Sequence, residues 1–98
     1  MKRALVIRPE AAAEIQEAFD WYEAQSKGLG TAFRDSLDAA FDRILDNPNQ
    51  YATVHRTIRR ALVRRFPYGV FYLVEAKRIV VLAVFHGGRD PKQWRTRR

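Results

Sequence analysis

The sequence predicts an α+β fold with an N-terminal strand, an antiparallel helical hairpin and then an antiparallel β-meander, the helices packing on one face of the sheet. Apolar residues at helical spacing fill most of residues 9–45, and β-branched and apolar segments separated by turn signals follow Pro48. This order of elements is typical of the α+β class. Because 98 residues leave room for only one hydrophobic core, we expect a single domain over residues 1–98.

The N-terminal half provides the first strand and both helices. Residues 5–7 form a short apolar run that ends at Arg8-Pro9, where proline suits the first turn of a helix. Helical spacing then continues to about Gln25 and resumes after a break with two glycines at residues 26–30. The connection is short, so the helices should be antiparallel neighbours. The predicted apolar seam consists of Ala12, Ile15, Ala18, Phe19, Tyr22, Leu29, Phe33, Leu37, Ala40, Phe41, Ile44 and Leu45.

The C-terminal half has the pattern of a meander. Strands are predicted at residues 54–56, 58–66, 70–75 and 79–86. The last two do not alternate with polar residues, and apolar side chains on both faces of a strand indicate that both faces are covered. The helices can cover one face. We therefore expect another polypeptide to cover part of the other, and an exposed apolar patch in the free protein.

Charge is distributed unevenly along the chain. Residues 1–50 hold six Lys/Arg and nine Asp/Glu, a net charge of −3, whereas residues 51–98 hold twelve and two, a net charge of +10. A surface of one sign attracts acidic partners such as nucleic acid, an acidic peptide or an acidic protein face. Arginine in particular binds phosphate or carboxylate through two parallel hydrogen bonds. Five arginines lie on one predicted strand and its approach: Arg56, Arg59, Arg60, Arg64 and Arg65. They could bind such a partner, or the strand could be a solvated edge strand that its charges protect from aggregation.

Several classes of site find no support in the sequence. There is no cysteine, which excludes disulfides, thiolate metal sites and cysteine nucleophiles. His55 and His86 lie far apart, and there is no phosphate-binding glycine loop, so we predict no metal and no cofactor. The first apolar run is too short for a signal peptide or a membrane span, so we expect a cytoplasmic protein with no membrane partner.

Three segments near the end of the chain could carry function. His86 could move protons in RNA cleavage beside arginines that hold phosphate, or it could simply hydrogen-bond a neighbouring carbonyl. The aromatic residues of Phe66-Pro67-Tyr68 could stack on bases, but packing at the end of the sheet is the plainer interpretation. Asp90-Pro91 can start a last helical turn.

A series of short motifs resembles the RelE/ParE superfamily of toxins. In order, they are Trp21-Tyr22-Glu23, Gly28-Leu29-Gly30-Thr31-Ala32-Phe33, Asn47-Pro48-Asn49-Gln50-Tyr51, Arg59-Arg60, Arg65-Phe66-Pro67-Tyr68 and His86-Gly87-Gly88-Arg89-Asp90-Pro91-Lys92-Gln93-Trp94. The resemblance implies the toxin half of a bacterial type II toxin–antitoxin pair. It also implies a cognate antitoxin that wraps a disordered segment across the toxin in a hetero-oligomer. Such a partner would cover the second apolar face of the last two strands, and it would also be the acidic partner that the basic half of the chain attracts.

The superfamily has two branches with different targets. ParE-like members look like DNA gyrase inhibitors, and RelE-like members look like endoribonucleases that cleave mRNA on the ribosome. The motifs at residues 65–68 and 86–91 are closer to the ParE branch, so we expect a gyrase-binding inhibitor rather than an enzyme. The expected target-binding residues are Arg59, Arg60, Arg65, Tyr68, Arg89, Trp94 and Arg95, and the expected antitoxin-binding residues are Phe71, Leu73, Val80, Leu82 and Val84. In the alternative, a nuclease, His86 would be the general acid or base, and phosphate charge would be held by Arg59, Arg60, Arg65 and Arg89.

Overall fold

The predicted α+β architecture is confirmed by a computed structural model that describes residues 3–87. Its elements are β1 (Ala4–Ile7), α1 (Pro9–Gln25), α2 (Leu29–Asp46), a 3₁₀ turn (Pro48–Gln50), β2 (Thr53–His55), β3 (Ile58–Leu62), β4 (Tyr68–Val74) and β5 (Arg78–His86). The strands form one sheet in the order β1-β5-β4-β3-β2. Strands β2 to β5 are an antiparallel meander, and β1 joins parallel to β5, which makes the sheet mixed. No helix in residues 3–87 is long and apolar enough to cross a membrane.

The helical hairpin is fastened at its turn by one carboxylate. Glu23 on α1 accepts the backbone N–H groups of Gly28 and Gly30, each at 3.0 Å, and so satisfies donors that the first turn of α2 leaves unpaired. Gly28 has a φ of 89°, which glycine adopts without strain. At Gly30 a Cβ atom would lie 2.8 Å from the carbonyl oxygen of Phe19, so the helices meet closely because this residue has no side chain.

The apolar seam of the hairpin follows the predicted pattern with one shift. Helix α2 buries Phe33, Leu37, Ala40, Phe41 and Ile44, as predicted. Helix α1 buries Ala11 and leaves Ala12 exposed, so the prediction for Ala12 was wrong. Three consecutive alanines follow Glu10, and their spacing alone does not determine which of them faces the core.

The third strand ends earlier than predicted. It stops at Leu62, and residues 63–67, hereafter the β3–β4 loop, connect it to β4. Arg65 in this loop has a φ of 72°, which is not a strand conformation, and Pro67 has no N–H group for a ladder hydrogen bond. The loop closes with a hydrogen bond from the Val63 N–H to the Tyr68 carbonyl at 2.9 Å.

A β-bulge in β5 decides which residues face the helices. Phe71 pairs with Ala83 but Tyr72 pairs with Val81, so Leu82 is an extra residue and the side-chain alternation reverses across it. Val84 therefore packs in the core beneath the helices. The sequence had suggested that it shares a face with Val80 and Leu82, which lie on the opposite side of the sheet. We call the opposite side of the sheet the second face.

The expectation of an exposed apolar patch on the second face was wrong. Side chains from three adjacent strands pack together there, with Val54 and Leu73 against them, and the members of the cluster are buried. The cluster consists of Ile58, Phe71, Val80, Leu82, Ala83 and Phe85. The exposed large apolar residues include Trp21 on α1 and Leu62 at the end of β3, with exposed fractions of 58% and 62%.

Substituting Gly30 by alanine should destabilise the fold by about 1–3 kcal/mol, because the new methyl group would collide with the backbone of α1. Urea unfolding followed by circular dichroism measures this change. Thr31→Ala is the control, because this neighbouring residue is exposed on the same helix and should change the free energy of unfolding by less than about 0.5 kcal/mol. Equal effects of the two substitutions would contradict the close helix contact.

Candidate partner-binding site

A long segment without acidic residues forms the three strands at one side of the sheet. Residues 47–74 contain five arginines and no Asp or Glu. They cover β2, β3 and β4, together with the loops that join them. Alternation along β3 sends neighbouring arginines to opposite faces of the sheet, so these residues do not act as one cluster.

Arg59 belongs to the structural framework. It pairs across the sheet with Tyr72, whose side chain lies in the helix-facing core. Its guanidinium donates hydrogen bonds to the carbonyl oxygens of Asn49, at 3.3 Å, and Tyr51. Arg59 is half-buried and ties the segment after α2 to β3, so its placement favours a role in folding over the predicted role in target binding.

Two further residues hold the same segment. The buried Tyr72 hydroxyl donates to the Pro48 carbonyl at 2.6 Å. Burial raises the pKa of Tyr72 to about 12, and the nearby positive charge of Arg59 only partly offsets this effect. Arg43 on α2 donates to the Tyr51 hydroxyl and to the Leu62 carbonyl, each at 3.2 Å.

Arg60, Arg64 and Arg65 are exposed and uncompensated. Arg60 pairs with Phe71 and therefore lies on the second face, and the other two lie in the β3–β4 loop. None of the three has an ion-pair partner among residues 3–87. Their guanidinium groups are available to phosphate or carboxylate. Arg64 was not among the predicted site residues, although its place in the arginine run could have indicated it.

Tyr68 connects the end of the sheet to the helices. Its ring centroid lies 5.1 Å from that of Phe33 and 6.1 Å from that of Tyr22, and Phe66 packs edge-on against both of these rings. The plainer interpretation of these aromatic residues, packing at the end of the sheet, is therefore confirmed. Tyr68 also meets the ring of the exposed His86 edge-on at 5.4 Å.

A groove of about 330 Å³ opens at this end of the sheet. The β3–β4 loop lies on one side of it and the end of β5 on the other. Of the predicted site residues, Arg60, Tyr68, Phe71 and His86 line it together, whereas Arg59 and Arg65 do not. Its full lining is Arg60, Leu62, Val63, Phe66, Pro67, Tyr68, Gly69, Phe71, Phe85, His86 and Gly87.

The remaining predicted residues divide by location. Val80 and Leu82 are buried on the second face, Leu73 is half-buried beside them, and Val84 lies in the opposite core. Arg89, Trp94 and Arg95, and the helical turn predicted at Asp90-Pro91, lie outside the described residues.

The fold is shared with solved toxins. The chromosomal ParDE TA system from P. aeruginosa matches with a TM-score of 0.75 and 18% identity, over 86% of this chain and 95% of that chain. A mutant of the E. coli toxin RelE in the free state matches with a TM-score of 0.67 and 17% identity, over 90% of this chain and 86% of that chain. The chain thus shares the fold of both solved structures.

Sequence similarity identifies the branch. The family described as ParE toxin of type II toxin-antitoxin system, parDE, matches residues 5–91. Toxin ParE2 from Mycobacterium tuberculosis, in strains CDC 1551 / Oshkosh and H37Rv, is 30% identical over 92 residues, which are 93% of this chain and 88% of the relative. The chain belongs to the ParE toxin family of type II toxin–antitoxin systems.

The two neighbouring arginines of β3 should respond differently to truncation. Arg59→Ala should lower the free energy of unfolding by about 1–3 kcal/mol, because two backbone carbonyls lose their donor. Arg60→Ala should change it by less than about 0.5 kcal/mol, because this exposed side chain makes no hydrogen bond or ion pair within residues 3–87. Urea unfolding of the two variants tests the assignment, and a larger effect at Arg60 would refute it.

Stability should also depend on Tyr72 at high pH. The folded-state pKa of about 12 is above the ordinary value of 10.0, so the neutral phenol stabilises the fold fully below about pH 10, and this contribution is lost as the pH rises towards 12. Tyr72→Phe should be less stable than the wild type at neutral pH, and its stability should fall less between pH 10 and 12. Unfolding curves across this range measure both quantities, and a constant difference would show that Tyr72 does not titrate as expected.

Proposed function

We propose that this protein is the growth-inhibiting component of its toxin–antitoxin pair, that it binds DNA gyrase in the cytoplasm, and that a cognate antitoxin neutralises it. Membership of the ParE family supports the first part. The observation that supports a binding inhibitor is the set of uncompensated guanidinium groups at Arg60, Arg64 and Arg65 beside an apolar groove. This arrangement suits an acidic protein face, or one that also holds DNA.

The groove favours binding over bond cleavage. RNA cleavage by acid–base chemistry needs groups that give and take protons near neutral pH. The groove lining contains one histidine, His86, and no carboxylate. An endoribonuclease of the RelE type remains the second candidate, because Arg60 and His86 do line the same groove and could hold phosphate and move a proton.

Inhibition assays with the purified, antitoxin-free protein separate the two candidates. We expect loss of gyrase supercoiling and no cleavage of mRNA on translating ribosomes. Changing Arg60, Arg64 and Arg65 to glutamine should weaken inhibition at least roughly tenfold, because each change removes a charge from the binding surface. Arg34→Gln is the control, because Arg34 is exposed on α2 and does not line the groove. Cleavage of ribosome-bound mRNA without gyrase inhibition would establish the second candidate instead.

The antitoxin part of the proposal has its own test. The small protein encoded by an adjoining reading frame should co-purify with this chain and restore growth when both are expressed. We infer an acidic, partly disordered partner segment, because residues 51–98 carry a net charge of +10. A toxin that is not neutralised by any neighbouring product would contradict this part and leave the gyrase assay unaffected.

A further inference from the structure

Trp21 is a large aromatic side chain that the fold leaves in contact with solvent. Of the Phe, Tyr and Trp side chains in residues 3–87, it alone is exposed, with an exposed fraction of 58%. Its ring meets that of the buried Tyr22 edge-on, with the centroids 5.1 Å apart. This contact holds one part of the indole and leaves the rest open to a partner. Among aromatic rings, an indole attracts a cation most strongly.

A carboxylate lies beside this indole. Glu17 comes one helical turn before Trp21, and residues four apart are neighbours on the surface of a helix. The Glu17 side chain is exposed and has no ion-pair or hydrogen-bond partner among residues 3–87. A guanidinium group suits this surface, because it can stack on the ring and form two parallel hydrogen bonds to the carboxylate. A phosphate does not, because the exposed Asp20 adds a second negative charge. We call Glu17, Asp20 and Trp21 the indole site.

The chain itself carries guanidinium groups without acidic partners. Arg64 and Arg65 are exposed in the β3–β4 loop, and neither has an ion-pair partner among residues 3–87. Phe66 follows them directly, and its ring centroid lies 4.9 Å from that of Tyr22. Tyr22 thus contacts both Trp21 and the β3–β4 loop. The indole site and the two arginines are therefore neighbours at one end of the molecule.

Charge is divided in the same sense between the helices and the adjoining strands. Residues 9–46, which form the hairpin, hold nine Asp/Glu and three Lys/Arg, a net charge of −6. Residues 47–74 hold five arginines and no acidic residue, a net charge of +5. The hairpin of one copy and the β3–β4 loop of another are therefore electrostatically complementary. The whole chain carries +7, so this attraction acts only where the two surfaces meet.

We propose that two copies of this chain form a closed dimer, in which Arg64 and Arg65 of each copy bind the indole site of the other. Because the loop and the indole site are neighbours, a two-fold axis between them makes both contacts at once and leaves neither surface open. The same arginines belong to the set proposed above for gyrase, so self-association and target binding compete for them. The dimer itself does not depend on which target the protein has.

Sedimentation equilibrium of the purified, antitoxin-free protein tests the dimer. The mass should rise with concentration from 11.4 kDa to twice that value and then stay constant. Trp21→Ala should raise the dissociation constant at least roughly tenfold, because the guanidinium loses its aromatic surface. Asp42→Ala is the control, since Asp42 is exposed near the C-terminal end of α2, away from the hairpin turn, and this change should leave the constant within about twofold. Circular dichroism shows whether each variant is folded.

Reversing the charges tests which surfaces meet. Glu17→Arg alone, and the double variant Arg64→Glu with Arg65→Glu alone, should each remain monomeric, because like charges then face each other. A mixture of the two should form a heterodimer, because both contacts again join opposite charges. Arg56→Glu in place of the double variant should not restore association to Glu17→Arg, since Arg56 lies at the β2–β3 turn and not in the β3–β4 loop. Restored association also shows that both variants are folded.

Four results would overturn the inference. The first is a mass of 11.4 kDa up to millimolar concentration, and the second is a mass that continues to rise beyond that of a dimer. The third is a dimer that Trp21→Ala and Asp42→Ala weaken equally. The fourth is a mixture of the charge-reversed variants that stays monomeric.

Discussion

Strand β5 is buried on both of its faces and paired on both of its edges, and most of the structure depends on this constraint. The strand is hydrogen-bonded to β4 on one edge and to β1 on the other, and its side chains are buried on both faces. Because β1 ends at Ile7, the N–H of Val84 lies beyond its reach, and the carboxylate of Glu14 on α1 accepts it at 3.0 Å. A buried strand amide needs a partner, and a charged acceptor makes a strong one. This bond and the Arg8 N–H to Val81 carbonyl bond fix where the hairpin lies on the sheet.

The strand and helix pattern was largely predictable, and the failures have local causes. Apolar spacing identified both helices and every strand, because each element has at least one face that must leave water. Spacing could not find the bulge at Leu82, so Val84 was assigned to the wrong face. The apolar second face was correctly recognised, but a one-dimensional pattern does not show that its side chains are buried in the chain itself.

The candidate site was predictable as a region and not residue by residue. The arginine run was evident from composition, but only the register between β3 and β4 shows that Arg59 faces Tyr72 while Arg60 faces Phe71. One arginine is therefore part of the framework, and its neighbour is exposed with no ion-pair partner among residues 3–87. The backbone contributes as well: Arg65 adopts a positive φ that costs on the order of 1 kcal/mol outside glycine, and the turn it makes defines one side of the groove.

The parallel pairing of β1 with β5 also has a consequence for synthesis of the protein. Ala4 pairs with Arg78 and Ile7 with Val81, so the first strand pairs with the last described strand. The hairpin and the meander are built from local contacts, which form early, whereas this contact must close a loop of most of the chain. During translation β1 has no strand to pair with until residue 81 has left the ribosome. The sheet, and with it the groove at its end, is completed only when β5, which ends at His86, has emerged.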